Sequence, residues 1–419
     1  MLQLTTLANG LTIITDTVPH AGSVALGVWC GVGTRHEKPE ENGIAHMVEH
    51  MLFKGTQRRT AHQLAIDVES VGGNANAYTG REVTCYYIHL LAEFMPLGLD
   101  LLADQLRHST YPQMEIERER GVIIQEIGMV NDTPDDVVFD MFQQAAYPDQ
   151  VMGAPILGYA PIIQQLTRDQ LMAYVATQYQ PGKMIVAAAG QVQHDDFVRR
   201  VTDLFGDMTD SGTRDALLPA RYVGGERRIE KPGLEQAHIV LGFPAASRTA
   251  SDYEATRALG GLLGGGMSSR LFQEVREKRG LVYAIHAQHS AYQDTGLFSV
   301  YAGTSPDSLP TLLGVVCDEL RGIASTMTEA ELSSVKAQLR ASIIMGQERM
   351  FGRIDAIARY HLQFQALPNI ATRLAAIDAL TCHDLSVVAQ KIVSQTPTLA
   401  AVGPLAKLES YDALQARLR

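Results

Sequence analysis

The chain has 419 residues, of which 46% are hydrophobic and 19% charged, and this suits a globular protein of two domains of about 200 residues each. It contains no run of eighteen apolar residues, so no membrane span is predicted. The net charge of −11 disfavours nucleic acid as a partner and favours basic or neutral ligands.

The first half begins with an alternating stretch, residues 23–32, that is predicted to be a strand. A strongly apolar helix of about residues 43–54 follows, with Asn42 as its predicted N-cap and Gly55 as its C-terminal stop. The rest of this half is predicted to hold two strands and then two long helices, at residues 75–79, 83–90, 95–106 and about 114–130.

The first predicted helix carries the string His46-Met47-Val48-Glu49-His50. His46, Glu49 and His50 are spaced i, i+3 and i+4, so they share one helix face. Two imidazoles one turn apart can bind a divalent metal, and the carboxylate between them can take a proton from metal-bound water. This order reverses the commoner His-Glu-x-x-His motif and is the inverzincin signature. The alternative is a solvated helix face, but three ionisable groups in so apolar a stretch are costly unless something binds them.

A catalytic zinc ion usually has three protein ligands, and the predicted helix at about 114–130 offers the missing carboxylate. Glu126 stands alone among aliphatic neighbours, so it is predicted to face inward. Glu119 lies seven residues earlier, two turns back on the same face. Spacing alone also allows Glu126 to be an ordinary surface acid, and Glu115, Glu117 and Arg118 are predicted to lie on a solvated face.

The second half repeats the plan of the first, with residues 104–106 falling on residues 318–320 and Glu115 on Glu329, which indicates a duplication. Its predicted strands cover residues 237–242, 283–290 and 296–303, and its predicted helices cover residues 254–263, 308–320 and about 329–347.

The two halves differ where the first carries its histidines. The matching segment, residues 263–269, is glycine-rich and contains no histidine, and Arg340 is the counterpart of Glu126. One half is therefore predicted to hold the metal. The predicted domains are residues 1–210, with the metal site, and 231–419, with a polar linker at 211–230 between them.

The string from His46 to His50, with Glu126 lying 76 positions after it and Glu119 seven before Glu126, resembles the pitrilysin family of metallopeptidases. It is most similar to the mitochondrial-processing-peptidase branch and its bacterial relatives, over nearly the whole chain. The resemblance implies that His46, His50 and Glu126 bind one zinc ion per chain. It implies that Glu49 is the general base and that Glu119 orients the site. The implied fold is α+β: two similar duplicated domains, each a mixed β-sheet packed with helices, of the mitochondrial-processing-peptidase and LuxS-like metallohydrolase type.

Two further segments resemble the family. Residues 76–79, Asn-Ala-Tyr-Thr, are similar to its edge-strand motif, so Asn76 and Ala77 would bind an extended peptide through main-chain hydrogen bonds. Arg276 and Tyr283, seven apart, resemble a pair that the family brings to the metal from its other half to bind the peptide carbonyl and stabilise the oxyanion. Without the family, these would be a plain strand, a surface charge and a strand aromatic.

Three other matches depend on the resemblance alone. Phe53 matches the aromatic residue that lines the pocket just past the scissile bond. Asp136 and Asp140 match acids that receive an arginine just before that bond, and they equally suit a solvated helix face. The three glycines at residues 264–266 resemble a shortened glycine-rich loop of the family; no Gly-Lys-Ser/Thr follows them, so a flexible loop is a better interpretation than a phosphate site.

The predicted function is that of a zinc-dependent endopeptidase acting on short or unstructured peptides. Presequence-like peptides with an arginine near the cleavage site are one candidate class. One alternative is a non-catalytic structural subunit, which this family supplies to membrane complexes, usually with a degraded metal motif. Another is the catalytic subunit of a heterodimer with a glycine-loop partner. The native metal stays open between zinc, cobalt and manganese.

A homodimer is predicted, because two halves make only half of the family's four-domain chamber and this chain holds both the metal residues and the Arg276–Tyr283 pair. Whether that pair acts in cis or in trans is left open. The four scattered cysteines, without a Cys-x-x-Cys pair, are typical of reduced thiols, and no secretory signal is predicted. A bacterial cytoplasmic location is predicted, although a mature organellar matrix protein would have the same features.

Overall fold

The structure is a computed structural model that describes residues 1–210 and 217–419. Its strands are β1 (Leu2–Thr6), β2 (Thr12–Thr17), β3 (Ser23–Cys30), β4 (Asn74–Thr79), β5 (Thr84–Leu91), β6 (Met184–Gly190), β7 (Gly225–Glu230), β8 (Ala237–Pro244), β9 (Val282–Ala291), β10 (Gly296–Thr304) and β11 (Thr398–Gly403). Its α-helices are α1 (Ile44–Met51), α2 (Ala61–Glu69), α3 (Met95–His108), α4 (Gln113–Asp132), α5 (Pro134–Ala146), α6 (Ala160–Ile163), α7 (Arg168–Gln178), α8 (His194–Phe205), α9 (Tyr253–Gly264), α10 (Leu309–Thr326), α11 (Glu329–Gly346), α12 (Met350–Phe364), α13 (Ile370–Ala379), α14 (Cys382–Val393) and α15 (Tyr411–Leu418).

The strands form two sheets with one plan. The first sheet has the order β1-β2-β6-β3-β5-β4 and the second β7-β11-β8-β10-β9. Each has one parallel pair, β2 with β6 or β7 with β11, beside a run of antiparallel pairs. The predicted repeat recurs here with a constant shift: β3 and α3 begin at Ser23 and Met95, and β8 and α10 begin at Ala237 and Leu309. The predicted α+β fold of two duplicated domains is confirmed.

Both faces of each sheet are covered by helices. In the first sheet, one face packs on α1, α3 and α8, and the other on α12. In the second, one face packs on α9, α10 and α14, and the other on α5. The central strand β6 is buried along its whole length, and a strand buried on both faces has a continuous apolar sequence rather than an alternating one. This explains why alternation does not identify β6.

The chain forms two compact units. The first comprises Met1–Gly128, Ala154–Leu217 and Ile344–Pro368, and the second comprises Met129–Gly153, Leu218–Ile343 and Asn369–Arg419. The units therefore differ from the predicted halves at two segments. Helix α5 covers a face of the second sheet and α12 a face of the first, so each belongs to the unit whose sheet it covers.

The predicted linker, residues 211–230, contains regular structure at its C-terminal end. Gly225–Glu230 form β7, which pairs in parallel with β11. This strand reads as a polar loop because it lies at the edge of its sheet, where charged side chains face solvent. Residues 211–216 of the predicted linker lie outside the described residues, and the domain boundaries themselves stay a prediction.

Every predicted helix and strand is present. The predicted ends agree with the structure to within two residues, except at the C-terminal ends of α1 and α10. Among the described residues, no helix has both the length and the apolar composition needed to cross a bilayer.

Candidate metal centre

Helix α1 turns its three ionisable residues to one side. His46, Glu49 and His50 are only partly buried, while the other side of the helix packs into the core of the first unit. The buried apolar residues of the helix are Ile44, Ala45, Met47, Val48 and Met51. The burial of these five side chains fixes the direction in which the imidazoles and the carboxylate point.

The start of α1 is set by Gly43 and Glu37. Gly43 has a φ of +94°, and a side chain there would lie 2.8 Å from the backbone of Gly158. The buried carboxylate of Glu37 accepts hydrogen bonds from the N–H groups of Gly43 and Ala45, both at 2.9 Å, and from the side chain of Asn42. The predicted N-cap role of Asn42 is wrong, because a carboxylate from the preceding loop satisfies the first N–H groups of the helix.

Helix α4 brings Glu126 to the two histidines. Its Oε2 atom lies 3.9 Å from Nε2 of His46 and 3.7 Å from Nε2 of His50. One ligand atom from each of the three residues lies within 4.8 Å of the other two. Among the described residues, these three form the one group of histidine, cysteine and acidic side chains with spacing suited to a metal ion.

The donor set and its surroundings fit zinc. Oε2 of Glu126 is buried and has no hydrogen-bond partner within the described ranges, which is costly unless another group, such as a metal ion, satisfies it. Zinc binds nitrogen and carboxylate oxygen at about 2.0–2.2 Å, so tetrahedral ligands lie roughly 3.4 Å apart, near the distances found. Burial, followed by the effect of His50, lowers the pKa of His46 to about 4. The imidazole is therefore neutral at pH 7, the form that binds metals.

Glu119 is in hydrogen-bond contact with His50. Its Oε2 atom accepts a hydrogen bond from Nδ1 of His50 at 2.8 Å, and its Oε1 atom lies 2.6 Å from Nζ of Lys54. Burial acts to raise the pKa of Glu119, but the hydrogen bonds from Lys54 and His50 hold it below its usual value. An ionised Glu119 keeps the proton of neutral His50 on Nδ1, which leaves Nε2 free to bind a metal.

Glu49 lies on the same side of α1 as the two histidines. Its carboxylate accepts a hydrogen bond from the hydroxyl of Thr79 at the end of β4. Burial raises the pKa of Glu49, against the lowering effects of the Thr79 hydrogen bond and of His50. A partly buried carboxylate beside a metal-binding group is a typical environment for a general base.

Strand β4 forms an open edge of the first sheet. It pairs with β5 alone among the described strands, so its outer side is open to a further strand. The N–H group of Ala77 donates to Oδ1 of the Asn76 side chain at 2.8 Å, a bond that a peptide pairing with this N–H would have to replace. Asn76 and Ala77 lie in this strand, with Asn76 exposed and Ala77 partly buried. Thr79, two residues after Ala77, is on the same face of the sheet as Ala77 and contacts Glu49. The strand that is predicted to bind a peptide therefore ends at the predicted general base.

A cavity of about 250 Å³ lies beside the start of β4. Most of its wall is apolar, and Phe53 contributes to it together with Leu64, Val68, Leu101 and Ala75. The structure thus places Phe53 in a pocket wall next to the edge strand, and its role in binding substrate stays a prediction.

The other predicted site residues lie in the second unit. Arg276 is in a π-helical turn, and its guanidinium carbon lies 5.1 Å from the centroid of the Tyr283 ring at the start of β9. Tyr283 is 79% exposed. Asp136 and Asp140 are on α5, the first exposed and the second partly buried. The Arg276–Tyr283 pair is present; its action at the metal, and the role of the two acids, stay predictions.

Three residues at the site were not predicted to have a role there. Thr79 follows Ala77 by two residues, so strand alternation places both on one face and could have identified it. Lys54 lies three residues beyond the end of α1, and its contact with Glu119 of α4 joins two elements that no local pattern connects. Glu37 lies in the loop before α1, and no periodic pattern marks it.

Comparison with known families agrees with this geometry. The family model described as "Insulinase (Peptidase family M16)" matches residues 12–159, and the model described as "Peptidase M16 inactive domain" matches residues 165–339. The chain is 38% identical to an uncharacterized zinc protease of Streptomyces coelicolor over 412 residues, which cover 96% of this chain and 90% of that protein. The chain belongs to peptidase family M16. The resemblance to the pitrilysin family is confirmed.

Other comparisons of the M16 chain give the same result. It is 37% identical to an uncharacterized zinc protease of Rickettsia felis, over 96% of this chain and 97% of that protein. A protease from Helicobacter pylori superposes with a TM-score of 0.89 at 24% identity, over 96% and 99% of the two chains, and so shares the fold. The names of the relatives, with the His46, His50 and Glu126 group, support a zinc metallopeptidase.

Proposed function

We propose that this M16 chain is a zinc-dependent endopeptidase that hydrolyses peptide bonds in short or unstructured peptides. The observation that carries the proposal is the convergence of His46, His50 and Glu126 from two helices, with Glu49 beside them. The second half of the chain has no comparable group among its described residues. The zinc-protease names of the relatives support the same activity.

The chain's own residues supply the roles that hydrolysis needs. Zinc, when held by His46, His50 and Glu126, would act as a Lewis acid that polarises the peptide carbonyl and acidifies water. Glu49 would take a proton from the attacking water and pass it to the leaving amine. Glu119 would keep His50 in the tautomer that leaves Nε2 free.

The open edge of β4 favours an extended peptide as substrate. A peptide that adds to this edge is held by main-chain hydrogen bonds near Asn76 and Ala77, with little demand on its sequence. An unstructured segment can do this readily, because most strands of a folded chain are already paired on both sides. The apolar cavity at Phe53 would receive the side chain just past the scissile bond. Asp136 and Asp140 would attract an arginine just before it.

Arg276 and Tyr283 would complete the site from the second unit by binding the peptide carbonyl and stabilising the oxyanion. We propose a homodimer in which each chain carries both sets of residues. Mixing inactive Glu49→Gln and Arg276→Ala chains would show which chain each pair serves. Mixed dimers regain activity if the pair acts in trans, because one of their sites is then intact, and they stay inactive if it acts in cis.

Two other functions make different demands on the chain. A structural subunit has no need of an intact ligand set, yet His46, Glu49, His50, Glu119 and Glu126 are all present and close together. A catalytic subunit that requires a glycine-loop partner would be inactive when purified alone. We expect the purified chain to be an active dimer. A bacterial cytoplasmic location stays a prediction, which the bacterial origin of the relatives supports.

The decisive experiment replaces Glu49 with glutamine. This variant keeps an oxygen to accept the hydrogen bond from Thr79, so it should fold and bind metal normally, but it cannot take a proton. We expect it to lose cleavage of an unfolded, arginine-containing peptide by about 100-fold or more. Glu93→Gln, an exposed acid of the same unit, is the control. Chelation should abolish cleavage by the wild type and zinc should restore it; metal analysis would distinguish zinc from cobalt or manganese. A fully active Glu49→Gln variant would exclude this mechanism.

A further inference from the structure

The end of β4 is hydrogen-bonded to helices on both faces of the first sheet. Successive residues of a strand point to opposite faces, so Tyr78 and Thr79 do so here. Thr79 donates to Glu49 of α1, on the face that carries the metal ligands. Tyr78 donates its phenolic hydroxyl to Asp355 of α12, on the opposite face. The strand that is proposed to hold the substrate is thus tied to two helices at one point.

Asp355 connects two strands of the sheet through a single oxygen. Its Oδ1 atom accepts the hydrogen bond from Tyr78 and a second one, at 2.9 Å, from Nε1 of Trp29 on β3. Trp29 is fully buried and is the only tryptophan in the chain. In the sheet, Cys85 of β5 lies opposite both Trp29 and Tyr78. Asp355 therefore bridges β3 and β4 across the strand between them.

Helix α12, which carries Asp355, is packed firmly against the sheet. Its residues Ile354 and Ile357 are buried against the sheet. The ring of Phe351 stacks on Tyr87 of β5, with centroids 3.7 Å apart. Arg353 donates a hydrogen bond to Asp16 of β2. Because α12 is attached to β5 by Phe351 and to β2 by Arg353, the bond from Tyr78 to Asp355 holds β4 to the body of the sheet.

We propose that Asp355 is a positioning residue of the peptidase: through Tyr78 it fixes the open edge of β4, and with it the bound peptide, relative to Glu49 and the metal ligands. The proposal rests on the proposed function. Asp355 lies on the face of the sheet opposite Glu49 and the metal ligands, so it would act on geometry alone.

An edge strand depends on side-chain contacts of this kind to keep its position. Strand β4 has a hydrogen-bonded neighbour on one side only, and the approach of a peptide to the other side requires that it stay in place. A displacement of about 1 Å at a reacting centre can reduce a rate by about 100-fold. Loss of the Tyr78 hydroxyl should therefore lower kcat more than it weakens peptide binding, because extended main-chain pairing tolerates a mobile strand better than the chemical step does.

The test uses four variants of the full chain. Tyr78→Phe removes the strand's bond and leaves the bond from Trp29. Asp355→Ala removes the acceptor, and Asp355→Asn restores it, since an amide oxygen at the same place accepts both hydrogen bonds. Tyr360→Phe, on α12, is the matched control: its hydroxyl has no hydrogen bond to any residue in the described ranges. Each variant is measured for zinc content, peptide cleavage and amide hydrogen exchange in β4.

We expect Tyr78→Phe and Asp355→Ala to exchange the β4 amides about 10-fold faster than wild type and to lose about 10-fold in kcat, with KM changed by less than about 3-fold. Zinc content should stay at one per chain. Asp355→Asn and Tyr360→Phe should behave as wild type. Rescue by asparagine would separate the role of the acceptor from a general loss of stability, which would lower kcat and zinc content together.

Unchanged exchange in β4 of Tyr78→Phe would overturn the proposal whatever the activity, because the tie would then not hold the strand. Faster exchange with an unchanged kcat would also overturn it, because the strand's position would then not matter to the reaction. Failure of the proposed function has a different signature: wild-type chain that cleaves no peptide with zinc bound.

Discussion

The helix that faces the edge strand is different in the two sheets. In the first unit α1 approaches β4 through side chains, with Glu49 and Thr79 in contact. In the second unit, α9 lies between β8 and β9 in chain order, as α1 does between β3 and β4, and it packs directly on β9. A Cβ atom at Gly264 would lie 2.2 Å from the backbone nitrogen of Ala287, so no side chain fits there. In the repeat that pairs Ser23 with Ala237, Gly264 is the counterpart of His50.

The difference shows that one sheet plan can use the space between helix and edge strand in two ways. Glycine in the second unit closes the space and contributes packing. In the first unit, the space holds ionisable groups, two of whose buried atoms have no hydrogen-bond partner among the described residues. The function therefore follows from the side chains in that space, and the shared fold alone does not specify it.

The largest expected effect comes from adding a side chain at Gly264, where α9 packs on β9 in the second unit. Gly264→Ala forces α9 away from the backbone of β9, so the free energy of unfolding should fall by about 3 kcal/mol. Zinc affinity should not change, because the metal residues lie in the other unit. Gly266→Ala is the control, since a Cβ there meets nothing within 4 Å. Denaturant unfolding measures the stability of the two variants. Equal stability would refute the close packing of α9 on β9.

The N-terminal ends of α1 and α9 also differ, and the pH dependence of the free energy of unfolding should show the difference. Burial raises the pKa of Glu37 to about 7, against the lowering effect of its hydrogen bonds, whereas Asp252 at the start of α9 makes no such side-chain cap. A carboxyl group whose folded pKa is raised binds a proton more tightly in the folded state. Its contribution to the free energy of unfolding is therefore greatest below about pH 4.5 and decreases as the pH rises to about 7.

Unfolding at pH 5 and pH 8 tests this. The loss of stability between the two should be smaller by about 2 kcal/mol in Glu37→Gln than in wild type. Glu40→Gln, an exposed neighbour, should show the wild-type difference. A Glu37→Gln variant with the wild-type pH dependence would mean that Glu37 does not titrate in this range.

Removal of the charge behind His50 should weaken the metal site without emptying it. Glu119→Gln loses the ionised acceptor for Nδ1 of His50 and for Lys54, so zinc affinity should fall about 10- to 100-fold. Competition with a chelating dye measures it. Glu117→Gln, an exposed residue on the same helix, should bind zinc as wild type does. Equal affinity of the two variants would remove Glu119 from the site.

The smallest expected effect concerns the contact between helix and edge strand. Thr79→Val removes the hydrogen bond to Glu49 but keeps the shape of the side chain, so kcat should fall about 10-fold with zinc content unchanged. Thr79→Ser keeps a hydroxyl and should retain most of the activity. If valine and serine give the same kcat, Thr79 does not position Glu49.

Much of the fold and of the metal site follows from local patterns. Helical spacing places His46, Glu49 and His50 on one side of α1, and runs of strand-forming residues bounded by turn residues locate β3, β5, β8 and β10. Local spacing does not identify Glu126 as a ligand, because it fits a surface acid equally well. The 76-residue distance from His50, which matches the family's pattern, identifies it. The contact itself joins two helices, which no local pattern specifies.

Several residues whose roles the sequence does not predict contact residues that are far away in the chain. Asp355 contacts Trp29 and Tyr78, both of which lie in strands near the other end of the first unit's sequence. Glu37 caps a helix from an irregular loop, and β6 lacks alternation because both of its faces are buried. Helix α5 belongs to the second unit and α12 to the first, each in the unit opposite to its predicted half. The sequence of an amphipathic helix does not say which sheet it covers.

The claim that three side chains from α1 and α4 hold one zinc ion is tested most directly by measuring zinc binding to wild type and to Glu126→Ala. We predict one tightly bound zinc ion per wild-type chain and an affinity at least about 100-fold lower in the variant, because two histidines alone leave an open site. A Glu126→Ala chain that binds zinc as tightly as wild type would contradict the account.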